Sequence, residues 1–191
     1  LNSLIGLAGV TSIGGYFSIY DNSVLNSLEG IEGLTSVGVN LAIIDNYSLT
    51  SLEGLEGLAS IGGYLKIYNN DTLTNLTGLE GLISIGTNIA ISDNSSLNSL
   101  EGLEGLTSIG RDLIIRRNSC LNNLTGLDGL TSIGESLTIF GNTSLISLTG
   151  LDNLTSIGGS LLLAVEGLGN PNLVSLSGLS NLTIIEGDIY I

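Results

Sequence analysis

Along this chain an apolar side chain returns at every third residue, then twice at every second residue, and then the pattern restarts. Between Leu49 and Asp71 the apolar positions are Leu49, Leu52, Leu55, Leu58 and Ile61 at a spacing of three, then Leu65 and Ile67 at a spacing of two. Asn70 follows, and Leu73 begins the next copy. Aligned on Leu1, Leu25, Leu49, Leu73, Leu97, Leu121, Leu145 and Leu173, the chain divides into eight rungs. The first six are 24 residues long, the seventh is 28, and the eighth runs to Ile191.

A helix needs an apolar period of 3.6, which nothing here sustains. Stretches such as "YLKIY", "LIIRR" and "SLTIF" alternate by two and are rich in β-formers, so they predict strands. The spacing of three suits an extended, turning chain that points one apolar residue inward at each step. One glycine column (Gly6, Gly30, Gly54, Gly78, Gly102, Gly126, Gly150, Gly178) predicts a bend with positive φ or close backbone approach. A second column, Gly14 to Gly158, closes the short "TSI" strand. One rung cannot hide its apolar face alone, whereas stacked rungs join those faces into a continuous core. Parallel strands about 4.8 Å apart then make a rod roughly 38 Å long. The expected fold is all-β, a right-handed parallel β-solenoid, with residues 1–191 as one domain and residues 164–173 as an insertion loop.

Asn22, Asn46, Asn70, Asn94, Asn118, Asn142 and, after the insertion, Asn170 recur just past the main strand. An inward amide can donate to the backbone of one neighbouring rung and accept from the other, satisfying groups that water cannot reach. These residues are expected to form an internal ladder. Asn46, Asn70, Asn75, Asn94, Asn123, Asn142, Asn153 and Asn181 fit the N-x-S/T acceptor pattern. The match is a by-product of the repeat, and a buried ladder amide is no glycan acceptor.

Chemistry is placed on the outer face of the main strand. Positions 16, 18 and 20 of each rung alternate with the inward pair, are expected to face solvent, and vary while the core does not. Tyr16, Tyr20, Tyr64 and Tyr68 form an aromatic strip interrupted at the second rung. With Lys66, Arg116 and Phe140 they are the candidate ligand-contacting residues, because exposed aromatics on a flat sheet suit protein or carbohydrate contact. Tyrosine is also simply a good strand residue.

The net charge of −14, with 18 acidic and 4 basic residues, argues against nucleic acid and anionic membranes as partners. An unbroken acidic column, Glu32, Glu56, Glu80, Glu104, Asp128 and Asp152, is a weak candidate for Ca²⁺ and otherwise a solvated edge. Three basic residues, Arg111, Arg116 and Arg117, share the fifth rung, either as surface ion pairs or as anchors for a partner's carboxylate. Cys120 stands in a column of small residues and reads as a neutral filler. There is no His, no second Cys and no phosphate loop, and every carboxylate pair repeats rung after rung, so neither catalysis nor a cofactor is expected. No apolar run reaches the roughly 18 residues of a membrane span. A chain lacking Met and opening in mid-pattern is expected to be part of a longer or processed one.

The unit "LTSIGGxLxIxxNxxLxSLxGL" resembles the receptor L-domain repeat, a leucine-rich relative found in the ligand-binding lobes of growth-factor receptors and in fungal, bacterial and archaeal surface proteins. The disulfide-rich ends of the animal domains are missing here and the repeat is far more regular, so the likeness is to the microbial surface type. It implies an extracellular or cell-surface location and a recognition role. Three functions are therefore weighed. The first is a non-catalytic module for protein or carbohydrate recognition or adhesion. The second is a structural filament built by self-association through the solenoid ends. The third is ice binding through the Thr and Ser columns (Thr11, Thr35, Thr107, Thr131, Thr155, Thr183; Ser12 through Ser156), the first of which Ala59 and Ile83 interrupt.

Overall fold

Every rung contributes two strands, the second of them four residues long in the first six rungs, and like strands stack on like. The computed structural model describes residues 1–165 and 167–191. Its short strands, from Ser12–Ile13 to Ile184–Ile185, form one eight-stranded parallel sheet. The longer strands, from Phe17–Tyr20 to Ile189–Tyr190, form a second. Each pairing is offset by one full rung, as in Leu41↔Leu65 and Leu65↔Ile89. The chain is an all-β parallel solenoid, as the repeat predicts.

The spacing of three buries Leu49, Leu52, Leu55, Leu58 and Ile61, and the spacing of two buries Leu65 and Ile67 between them. Each such side chain contributes roughly 1.5–3 kcal/mol by leaving water. The apolar faces of successive rungs merge into one core running the length of the molecule. In the terminal rungs the same columns are only partly covered. Leu1 and Leu7 at one end, and Leu176, Ile189 and Ile191 at the other, are exposed.

The glycine bend works through both devices expected of it. Gly54 has φ +110°, and a Cβ there would strike the carbonyl of Leu28 on the preceding rung. The same geometry recurs at five other positions, from Gly30 to Gly150, but not at Gly6 or Gly178. Those two lie in 3-10 turns, Ile5–Leu7 and Ser177–Leu179. The difference follows the residue two places on. Where Glu or Asp stands there, its carboxylate accepts the glycine N–H, whereas the terminal rungs have Ala8 and Ser180.

The asparagine column is the predicted ladder. Asn46, Asn70, Asn94, Asn118 and Asn142 are fully buried. The Asn70 N–H donates to Asn94 Oδ1 at 3.0 Å, and Asn94 Nδ2 donates back to Ile67 O at 3.1 Å. Asn94 Nδ2 also reaches Ser92 O of its own rung at 3.0 Å. The ladder survives the insertion, because Asn142 N–H donates to Asn170 Oδ1 at 3.1 Å. Within the inserted loop Val165 and Leu168 exchange backbone hydrogen bonds, and the adjoining strand shortens to Leu161–Leu162. Glu166, inside the predicted insertion, lies outside the described residues.

Just past each of the first six long strands comes a residue in the left-handed region: Asp21, Asp45, Asn69, Asp93 and Arg117 at φ +53° to +57°, and Gly141 at +70°. Asp and Asn tolerate that conformation because their short polar side chains bond locally. Arg117 has no such aid, and its guanidinium instead reaches Asp93 at 3.6 Å.

Candidate binding face

The outer face of the long-strand sheet is less uniform than strict alternation implies. Tyr16 and Tyr20, on the edge strand, are 69% and 61% exposed, as a solvent-facing strip requires. Tyr64 is exposed at its rim, and Tyr68 is half-buried with the Lys66 ammonium 5.1 Å from its ring centre. Asn40, Ala42 and Ser92 occupy the same outward columns yet are buried. Parallel strands sit so close that a small side chain is roofed by larger neighbours on either side.

Phe140 is the clearest correction. It was expected to present its ring to a ligand, but it is only 6% exposed. Arg116 lies beside it in register, and on its other flank the inserted loop folds back, with Gly141 N–H donating to Gly169 O at 2.9 Å. The inserted loop is thus tied to the chain immediately after Phe140. Beside it, Arg117, Thr143, Leu168 and Pro171 line a shallow depression of about 370 Å³.

Three of the predicted residues are brought together. Tyr64, Lys66 and Arg116 border a depression of about 410 Å³ whose floor is Ala90, Ser92 and Ile114, with Asn88 at one end. Register puts Lys66, Ala90 and Ile114 in one row and Tyr68, Ser92 and Arg116 in the next. The Arg116 Nε–H donates to Ser92 Oγ at 3.2 Å, which lays the guanidinium along the floor. Tyr16 and Tyr20 stand apart, separated from this hollow by the second rung, and Phe140 takes no part in it. Sequence reasoning passed over Ser92, Ala90 and Asn88. The signal for them was present as a run of small residues between the large ones at fixed positions of neighbouring rungs.

Position 16 has a backbone role as well. Asn40 Oδ1 accepts the Tyr64 N–H at 2.9 Å, and Asp112 Oδ1 accepts the Ser136 N–H at 3.0 Å. Ser136 and Ser160 do the same for the next rung through their hydroxyls. These short polar residues hold neighbouring rungs together.

The acidic column also has a local task. Glu32 Oε1 accepts the Gly30 N–H at 2.7 Å, and Glu56, Glu80, Glu104, Asp128 and Asp152 make the corresponding bond in their own rungs. The Gly30 N–H first, and the backbone N–H of Glu32 itself second, hold the Glu32 carboxyl below its usual range, against a smaller opposing effect of burial. Among the described residues no three His, Cys, Asp or Glu side chains converge as metal ligands would. Each of these carboxylates is turned toward its own glycine, so the Ca²⁺ reading of the column is replaced by one of bend-forming acceptors.

Of the fifth-rung arginines, Arg111 binds Glu135 through Nε at 2.9 Å and Arg117 pairs with Asp93. Tyr47 sits in an acidic neighbourhood, where desolvation first and the Asp45 carboxylate second push its phenol upward. Thr35, Thr131, Thr155 and Thr183 donate their hydroxyls to carbonyls of the preceding rung, so four of the six donors in that column are already committed. Cys120 is exposed and carries no disulfide.

Fold and face together define the class: a parallel β-solenoid repeat protein with an asparagine-laddered core and one variable, partly hollowed sheet face. Comparison with protein-family models, with curated proteins and with solved structures finds no match to this chain.

Proposed function

We propose that this protein is a non-catalytic, extracellular or cell-surface recognition module of the receptor L-domain type, whose contact surface for protein or carbohydrate is the outer face of the long-strand sheet. The observation that carries this reading is the gathering of Tyr64, Lys66 and Arg116 around one depression on a face whose inward partners never vary. Aromatic rims and shallow polar floors suit reversible recognition, in which a few anchors supply most of the affinity. The test is a glycan and protein array probed with wild type and with a Tyr20→Ala/Tyr64→Ala double variant. Loss of every positive spot in the variant supports the reading, and unchanged binding removes this face from consideration.

A second reading, assembly into a filament, is favoured by the apolar side chains exposed on both terminal rungs. The strands Phe17–Tyr20 and Ile189–Tyr190 each have one edge without a partner strand. Such edges are templates for pairing with another chain. Electron microscopy of concentrated protein would show rods much longer than one molecule if this reading holds, and single particles if it does not.

A further inference from the structure

We propose that the depression bordered by Tyr64, Lys66 and Arg116 binds a carboxylate-bearing saccharide, with the carboxylate seated between Lys66 and Arg116 over Ser92. The inference rests on the recognition reading and narrows it to a ligand class.

The first argument is charge allocation. The protein has only four Lys and Arg residues against eighteen acids. Arg111 and Arg117 are spent on Glu135 and Asp93. Among the described residues, Lys66 and Arg116 have no carboxylate within ion-pair distance, and both border the same hollow. In so acidic a molecule, two uncommitted cations on either side of one small floor make a local exception to the repelling field.

The second argument is where their heads lie. Lys66 leans over the ring of Tyr68, which pairs in register with Ser92, and Arg116 flanks Ser92 from the opposite strand. Both cations therefore converge on the Ser92 end. The Arg116 Nε–H is held by Ser92 Oγ, which leaves its terminal N–H groups available to an anion.

The third argument separates a saccharide from an acidic peptide. Extended peptides gain much of their affinity by pairing with a sheet edge. This hollow lies over Ile89–Ser92, an interior strand whose backbone is paired on both sides. No edge is offered. What is offered is a flat apolar floor, an exposed tyrosine ring at the rim, and Asn88 at the far end. From Asn88 to Ser92 the strand advances about 13 Å, room for a short oligosaccharide with hydroxyls at one end and a carboxylate at the other.

The experiment is titration of isotope-labelled protein with trigalacturonate, its fully methyl-esterified form and triglutamate, followed by amide chemical shifts and by calorimetry. Trigalacturonate is expected to shift the amides of residues 66, 90–92 and 116, and to bind about tenfold more weakly after either Lys66→Gln or Arg116→Gln. High salt should weaken it further, and an Ile146→Ala control, at an exposed residue away from this face, should leave it unchanged. Equal binding of the methyl ester would overturn the acidic ligand while leaving recognition by this face intact. Equal or better binding of triglutamate would overturn the saccharide. If none of the three shifts those amides, the proposal falls. If the arrays are also blank, the recognition reading falls with it.

Discussion

Replacing Asn94 by alanine tests the ladder at its centre. The wild-type side chain accepts the Asn70 N–H and donates to Ile67 O, Ser92 O and Asn118 Oδ1, all where water has no access. Alanine strands the Asn70 N–H, at about 1–3 kcal/mol for an unsatisfied buried donor, and the three donated bonds add about 0.5–1.5 kcal/mol each, partly offset by relaxation. A net loss of about 4 kcal/mol is expected, which for a chain of this size lowers Tm by about 8–16 °C. The internal control is Asn22→Ala. Asn22 occupies the same column but is only half-buried, and its Oδ1 accepts from the terminal ammonium of Leu1 at 2.9 Å. Its loss should cost about 1 kcal/mol or less, because water replaces what the amide supplied. Thermal melts followed by circular dichroism, with urea titrations to check that the transition stays cooperative, measure both. If the two variants melt within a degree of each other, buried amide satisfaction is not what holds the rungs in place.

Three further outcomes are expected. Gly54→Ala should cost about 3 kcal/mol or more, since φ +110° is closed to L-residues and the new Cβ meets the Leu28 carbonyl, whereas Gly15→Ala, with open space around it, should be close to neutral by the same melts. Glu32 has a lowered folded-state pKa, so its contribution is complete above the unfolded carboxylate value and disappears as pH falls through the folded one. The stability gap between wild type and Glu32→Gln should therefore narrow on acidification, and a gap that stays constant with pH would contradict the Gly30 bond. Arg117→Gly relieves a left-handed conformation at a non-glycine residue, removes only a long, half-exposed ion pair, and should raise stability by about 1 kcal/mol in urea titrations.

The fold was legible because one rule, repeated eight times, specifies it. Leu52 and Leu76 carry the same instruction as every other member of their column, and Asn70 announces its ladder by recurring where a strand ends. The terminal 3-10 turns were less visible. Gly6 and Gly178 look identical to their interior counterparts, and the difference is set by Ala8 and Ser180 two residues later. The face was legible only in outline. Alternation assigns Phe140 and Ser92 to the outside correctly, but exposure there depends on what stands one rung above and below. That dependence crosses 24 residues of sequence, or 28 at the insertion, and involves sizes rather than polarity. The carboxylates of Glu32 to Asp152 were legible as an exposed, solvated edge, and only their bond to glycine was missed. Their backbone partners lie two residues away in their own rung, and inter-rung spacing drew attention elsewhere.

A stack in which every layer is nearly interchangeable has a translational degeneracy. A growing chain that mates one layer out of step still finds leucine over leucine and amide over amide, so mispaired intermediates differ little in energy from the correct one. What breaks the tie is irregularity: the loop that ties Gly169 to Gly141, and Arg117 standing among acids. The odd residues serve as index marks that tell otherwise identical layers which of them they are.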